Sequence, residues 1–308
     1  MGALVGGACF IVPGLILILA LAAVFLAGSP PDWVLGAGGG AGAAVAAVAV
    51  QAGSSLVPDS WRRAAGRARW LVYFAAGAVS AATVGPWLVL VLLGCGLVEL
   101  AVRHATLARS GGASFGFGPL PLVASATAGS GGLLSLSWVA FKVGALSYGG
   151  GFVIIPLMQA DAVDRFHWMT DAQFLNAVAL GQVTPGPVVH TVAAVGYAAA
   201  GLGGGLLAAL IAFSPSFAFV LLGAARFDRL RRNENAKAFL NGAGPAAIGA
   251  ILGTAIPLIR ALSEPWQYGI LGGAAVLLFA LGRGVVFTLL AAGAVGAVVA
   301  AAGGPLPH

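Results

Sequence analysis

Charge is what this sequence has least of. Only 8% of its 308 residues are Asp, Glu, Lys or Arg, against roughly a quarter in a soluble globular domain. That leaves too little polar surface to face water on all sides, and it excludes a soluble fold. Cysteine is scarce too. Cys9 and Cys95 lie far apart, each inside an apolar run, which argues against a disulfide or a cysteine metal pair. His167 and the aspartates around it show no metal-ligand spacing. Phosphate-loop and zinc-protease signatures are missing, and no enzyme or cofactor is expected. No Lys or Arg precedes the first apolar run, so residues 1–28 read as a first transmembrane helix rather than a signal peptide.

What is present is oil and glycine: 60% hydrophobic residues, 48 glycines and a mean hydropathy of +1.00. Stretches free of Asp, Glu, Lys and Arg run at 3–27, 34–58, 70–98, 172–203, 203–225, 238–259, 266–282 and 284–307. Several reach the ~20 residues that cross a bilayer. Pro86 divides 70–98 into two helices or kinks one. The runs are continuous and lack period-2 alternation, which argues against strands. The expectation is an all-α polytopic membrane protein, a helical bundle embedded in the lipid bilayer. The formal charge of +6 does not signal nucleic acid, because aromatics do not interleave with the basic residues.

Those basic residues sit in short loops. Arg62, Arg63, Arg67 and Arg69 form one cluster, Arg226, Arg229, Arg231, Arg232 and Lys237 a second, and Arg103 and Arg109 a third. The positive-inside rule puts all three in the cytoplasm. The Gly-, Ser- and Pro-rich stretch 106–133 then reads as a flexible cytoplasmic linker between a partial N-terminal repeat, 1–105, and a C-terminal repeat, 134–308. Residues 2–13 align weakly with 204–215, through Gly2/Gly204, Leu4/Leu206 and Pro13/Pro215. Val45/Ile248, Ala47/Ala250, Val48/Ile251 and Ala52/Ala255 continue the match. The two copies run in opposite directions by charge, as in inverted-topology repeats with broken or re-entrant helices.

Parity then constrains the middle of the chain. A linker inside and residue 203 outside cannot be joined by two full crossings, so one of the blocks 133–160 and 172–203 must re-enter or cross twice. Each carries a breaker: Gly149-Gly150-Gly151 in the first and Pro185-Gly186-Pro187 in the second. Backbone freed by such breaks is tolerated in hydrocarbon only where it lines a cavity or is buried in protein. The half-helix N-termini that follow suit anions, and Pro187 suits a first helical turn. Lys142 lies deep in the first block; it either faces a bundle interior or snorkels to the interface. Gln182, Thr184, His190 and Thr191 surround the second break. His190 either adds positive charge beside an anion or is a neutral histidine bonded to a helix carbonyl. Asn176 and Gln173 read as helix-face polar residues. Asp161, Asp164, Arg165, His167 and Asp171 read as a solvated turn.

The stretch "FKVGALSYGGGFVIIPLMQADAVDRFHWMTDAQFLNAVALGQVTPGPV", residues 141–188, resembles the C-terminal half of chromate ion transporters. That family has a lysine-bearing segment ending in FGGG, a Trp-Leu-Thr turn and an ALGQ-x-x-PGP run. Here the patterns are FKxGxxxYGGG and GQxxPGP, with Tyr148 and Met169 departing from the usual Phe and Leu. The resemblance implies a secondary transporter of a tetrahedral oxyanion, chromate, with sulfate competing or exchanged, in a bacterial-type plasma membrane. It carries a substrate role to Lys142, Gly149, Gly150, Gly151, Gln182, Pro185, Gly186 and Pro187. Thr184 and His190 join them on chemistry alone, since the family has a small or hydroxyl residue at the latter position. Long members begin with a first copy of both motifs, whereas residue 2 here already aligns with residue 204. The expectation is that the first part of the N-terminal half is lacking, so that a second copy or a companion chain completes the site, or the chain is inactive. An anion channel is the remaining alternative.

Overall fold

In hydrocarbon a backbone N–H must find its acceptor inside its own segment or a closed barrel, so continuous apolar runs become helices. A computed structural model describes residues 2–26, 30–64, 66–83, 88–109, 132–147, 152–223 and 232–307, and every regular element among them is helical. The order begins α1 (Gly2–Phe25), α2 (Asp32–Arg62), α3 (Arg67–Thr83), α4 (Leu88–Arg109) and α5 (Leu133–Leu146). Next come α6 (Ile154–Gln159), continued by a π-helical segment Ala160–Arg165, then α7 (Asp171–Val183), a 3-10 turn Val188–His190 and α8 (Thr191–Gly223). The chain ends with α9 (Glu234–Gly253), α10 (Ala255–Arg260), α11 (Pro265–Ala275) with a π-helical extension Val276–Ala280, and α12 (Val285–Ala301). The triplet Gly149–Gly151, Pro86, most of the 106–133 linker and Arg226, Arg229 and Arg231 lie outside the described residues.

The helix ends follow local chemistry. Thr170 and Gln173 form a reciprocal capping box that starts α7. Asn233 accepts from the Asn235 and Ala236 N–H groups at the start of α9. Pro265 occupies the first turn of α11, where no donor is needed.

Among the described residues, five helical spans are long and apolar enough to cross a membrane: 5–25, 32–62, 88–106, 188–223 and 234–260. Apolar side chains such as Phe10, Ile16, Leu90, Leu93, Leu210 and Phe287 stand exposed on the outside of the bundle. Water would not tolerate so large an apolar surface; a bilayer covers it. The protein is an integral membrane protein. Its central pair is α2 and α9–α10, whose apolar spans are mostly buried, while α1 and α4 lie at the periphery.

Small residues bring these helices together. α2 runs antiparallel to α12, with Gly36 against Ala300 and Gly40 against the Ala292 carbonyl. α9 packs in turn on α3 and α4: a Cβ on Gly249 would lie 1.9 Å from the Phe74 carbonyl oxygen, and one on Gly242 would lie 2.2 Å from that of Cys95. Each central helix thus packs against two helices from the other half of the chain, since α2 also holds α11 through Gln267, which donates to the Gly39 carbonyl at 3.0 Å.

One expected boundary moves. The break between the runs 172–203 and 203–225 falls at Ala200–Gly201, where φ reaches +63° at the glycine. It is a reversal rather than a kink. Gly196 faces Gly204, and Gly205 faces the Ala193 carbonyl, so residues 191–199 and 202–223 form a helical hairpin. The second arm lies antiparallel to α1, pairing Gly205 with Leu19 and Gly7 with Phe217. The hairpin tip therefore sits at the end of the bundle where α1 passes to α2.

α7 starts from that same end. Its Leu175 and Asn176 meet Gly42 and Gly38, near the start of α2, and the chain reaches Gly14, in the middle of α1, by Pro185. From there residues 191–199 climb back to the tip at Ala200–Gly201. Of the two blocks, 172–203 doubles back within the bundle, from the start of α2 to the middle of α1 and back to the tip.

Gly249→Ala is expected to lower stability by about 1–3 kcal/mol, because the carbonyl it meets belongs to rigid backbone. Gly94→Ala, where a Cβ meets nothing within 4 Å, is expected to be neutral or mildly stabilising. Thermal unfolding of both variants in detergent checks the pair; equal midpoints would contradict the packing.

Candidate functional site

The re-entrant segment turns at mid-bundle because its sequence permits nothing else. Thr184 leaves the helix in an extended conformation (φ −71°, ψ 135°) while its N–H still donates to the Leu180 carbonyl. Two prolines, neither with an N–H to give, flank Gly186 at φ +130°, a value L side chains rarely adopt. Helix restarts at Val188, with Pro187 as the cap of the 3-10 turn rather than inside its first turn. α1 closes over the break. A Cβ on Gly14 would lie 2.1 Å from the Pro185 carbonyl oxygen and 2.7 Å from the His190 ring.

His190 is completely buried, and the edge of its ring meets Phe213 at 5.3 Å between centroids. Neither ring nitrogen meets a partner in hydrogen-bond geometry, although the Ile11 backbone lies beside it. The Ile11 carbonyl of α1 is the helix carbonyl within reach of the ring, short of strict hydrogen-bond geometry. Gln182 Nε2 and Asn176 Oδ1 are also buried and unpartnered. Thr184 Oγ1 makes a long 3.5 Å bond to the Gly181 carbonyl, and Thr191 Oγ1 donates to Val188 at 2.8 Å. A buried polar group left unpaired costs roughly 1–3 kcal/mol. Three such side chains in one hairpin are an expense that packing does not explain.

Lys142 does not snorkel. Its ammonium pairs with the Asp161 carboxylate inside the bundle, their side chains being 16% and 3% exposed. Asp161 is accordingly no part of a solvated turn: it belongs to the π-helical segment and is buried. The rest of the turn is as expected, with Asp164, Arg165, His167 and Asp171 exposed and Asp171 accepting from Gln159 at 2.9 Å.

The structure gathers Gln182, Thr184, Pro185, Gly186, Pro187 and His190 at one break. Lys142 stands apart from it on α5. The second arm of α8 comes between them: Gly144 of α5 abuts the Ala212 carbonyl, and the neighbouring Phe213 abuts His190. The site expected where two breaks meet cannot be traced to Gly149, Gly150 and Gly151, which lie outside the described residues. Sequence reasoning gave no special role to Asn176, missed Gly14, and passed over a second buried acid. Glu99 accepts from Tyr73 at 3.0 Å and lies 3.4 Å from Arg69. For Glu99 the signal was there, an acid ending the charge-free run 70–98; for Gly14 nothing local marked it.

Apolar helices packed through glycine, with a re-entrant hairpin and a buried ion pair inside, define a polytopic integral membrane protein. The chain belongs to the chromate transporter family, whose model matches residues 134–297. It is similar to the chromate transport protein of Cupriavidus metallidurans, 31% identical over 84% of this chain and 65% of that protein. It is also similar to a probable chromate transport protein of Synechococcus elongatus, 28% identical over 84% of this chain and 67% of the relative. The chromate transport protein of Pseudomonas aeruginosa is 29% identical over 86% of this chain and 65% of its own length. The chain thus spans about two thirds of the length of these curated relatives. No solved structure matches it. Membership of a transporter family also disposes of the enzyme question, including the GASFG of residues 112–116, which has nucleophile-elbow spacing but falls in the linker, outside the described residues.

His190→Leu is expected to raise stability by about 1 kcal/mol, since it removes two unpaired nitrogens from an apolar enclosure. Gly186→Ala is expected to lower it by about 1–3 kcal/mol through backbone strain. Unfolding midpoints of the two variants check this; a destabilised His190→Leu would mean the imidazole is held by bonds the geometry does not contain.

Proposed function

We propose that this chain is a secondary transporter of a tetrahedral oxyanion, chromate with sulfate as competitor or exchanged anion, in a bacterial-type plasma membrane. The observation that carries this reading is the re-entrant break with its unpaired Gln182, Asn176 and His190 side chains. Such groups are retained where a polar ligand meets them, and a restarting helix turns its N-terminal end toward that position. The backbone at Pro185 and Gly186 is exposed while Thr184 and His190 beside it are buried, an arrangement that lets an anion approach the turn closely. Lys142, largely buried and paired with Asp161, is the family lysine by position. The names of the relatives supply the substrate class.

The two halves are read as an inverted repeat, with one moving against the other during alternating access. In support, the order α1, α2, α3, α4 corresponds to the second arm of α8, α9–α10, α11, α12. The crosswise packing of α2 on α11 and α12, and of α9 on α3 and α4, is what a pseudo-two-fold relation would produce. A second copy or a companion chain supplying a further half-site belongs to the same reading.

Proteoliposomes containing the 308-residue chain are expected to take up radiolabelled chromate, and excess sulfate is expected to reduce that uptake. No flux from folded protein would overturn transport by this chain alone. Lys142→Ala is expected to reduce flux at least tenfold, on the order of 1.4 kcal/mol or more. Unchanged flux at normal expression would remove the lysine from the site.

A further inference from the structure

Lys142 and Asp161 come from different segments, α5 and the π-helical turn, and meet with the carboxylate buried and the ammonium largely so. Burying two charges costs several kcal/mol per ion, and replacing such a pair by apolar residues is often neutral or stabilising. Stability is therefore a poor reason to keep it. Intramembrane ionisable residues mark ion and substrate paths far more often.

The surroundings give each partner one counter-ion. α5 carries no other charge, and α6 carries none. α7 contributes Asp171, engaged by Gln159, and α8 contributes only Tyr197 as a titratable side chain. His190 lies on the far side of Phe213. On the π-helical segment itself Asp164 and Arg165 are exposed. Among the described residues no third charge shares the pair.

We infer that Asp161 is the internal competitor of the transported anion: a carboxylate that occupies the Lys142 ammonium in the empty protein and yields it to the oxyanion. This rests on the oxyanion reading above. A dianion brings more charge than a carboxylate and can win at the ammonium, but only against an incumbent, so its net affinity stays modest and release stays possible. When it leaves, the carboxylate returns, and Lys142 never stands unpaired in a largely apolar interior, where the loss of a partner is strongly destabilising. The π-helical register of residues 160–165 supplies the movement. One surplus residue per turn can be passed along the segment, swinging Asp161 toward the exposed Asp164–Arg165 end.

The test is equilibrium binding of sulfate to the full chain in detergent, wild type against Asp161→Asn. Removing the competitor is expected to tighten binding about tenfold. A merely structural carboxylate predicts the opposite, weaker binding or none, so equal affinity, weaker affinity or no binding by either protein overturns the inference. Chromate flux is measured separately. Sulfate-sensitive flux without tighter binding in Asp161→Asn sinks the competitor and leaves the transporter reading standing; tighter binding without flux does the reverse. If Asp161→Asn fails to fold, the double variant Lys142→Met/Asp161→Asn removes both charges, and infrared difference spectra replace affinity. Sulfate is then expected to shift a carboxylate band in the wild type that is missing from the double variant, and no shift would overturn the proposal.

Discussion

Hydrocarbon offers no hydrogen bonds, and the rest of this structure follows from that constraint. A segment that leaves the helix inside the bilayer must bury its freed backbone against protein, which is possible at few places. The chain breaks its helices at Ala200–Gly201, where the tip of a hairpin reaches the end of the bundle, and at 184–187, at mid-bundle. The second break is admissible because α1 closes over it with Gly14, a residue with no side chain to intrude on the Pro185 carbonyl. The break so packed buries Thr184 and His190, while Pro185 and Gly186 keep an exposed side.

Close helix approach is the second consequence. Lipid tails are as apolar as leucine, so helices associate through van der Waals contact rather than a hydrophobic drive, and glycine is what allows that contact to be close. Gly36, Gly40, Gly242 and Gly249 bring α2 and α9 against partners from the opposite half of the chain. The crosswise exchange ties the halves into one body around a central pair.

The buried polar groups are where local stability is given up. Asn176, Gln182 and His190 leave hydrogen-bonding atoms unpaired along one hairpin, and Lys142 and Asp161 hold an ion pair that apolar residues could replace. Sequence signals for these were uneven. Lys142 and the GQxxPGP run stood out because a charge or a proline in an apolar block is locally conspicuous. Asp161 did not, because it precedes Asp164, Arg165 and His167 and reads as the start of a polar turn. Asn176 looked like any polar residue on a helix face until Gly38 and Gly42 were found against it.

From the sequence by itself came membrane embedding, helical class, the helix stop at Pro185–Pro187 and the family resemblance. Hydropathy, proline and glycine act over a few residues, so composition and order suffice to read them. Parity of crossings raised the expectation that one middle block re-enters or crosses twice but could not say which. That 172–203 doubles back within the bundle is a matter of tertiary contacts, with α7 placed against the start of α2 and Pro185 against the middle of α1. The partner of Lys142 was likewise a tertiary matter: the lysine and Asp161 are 19 residues apart in sequence. Only folding sets which charge a buried ammonium will face.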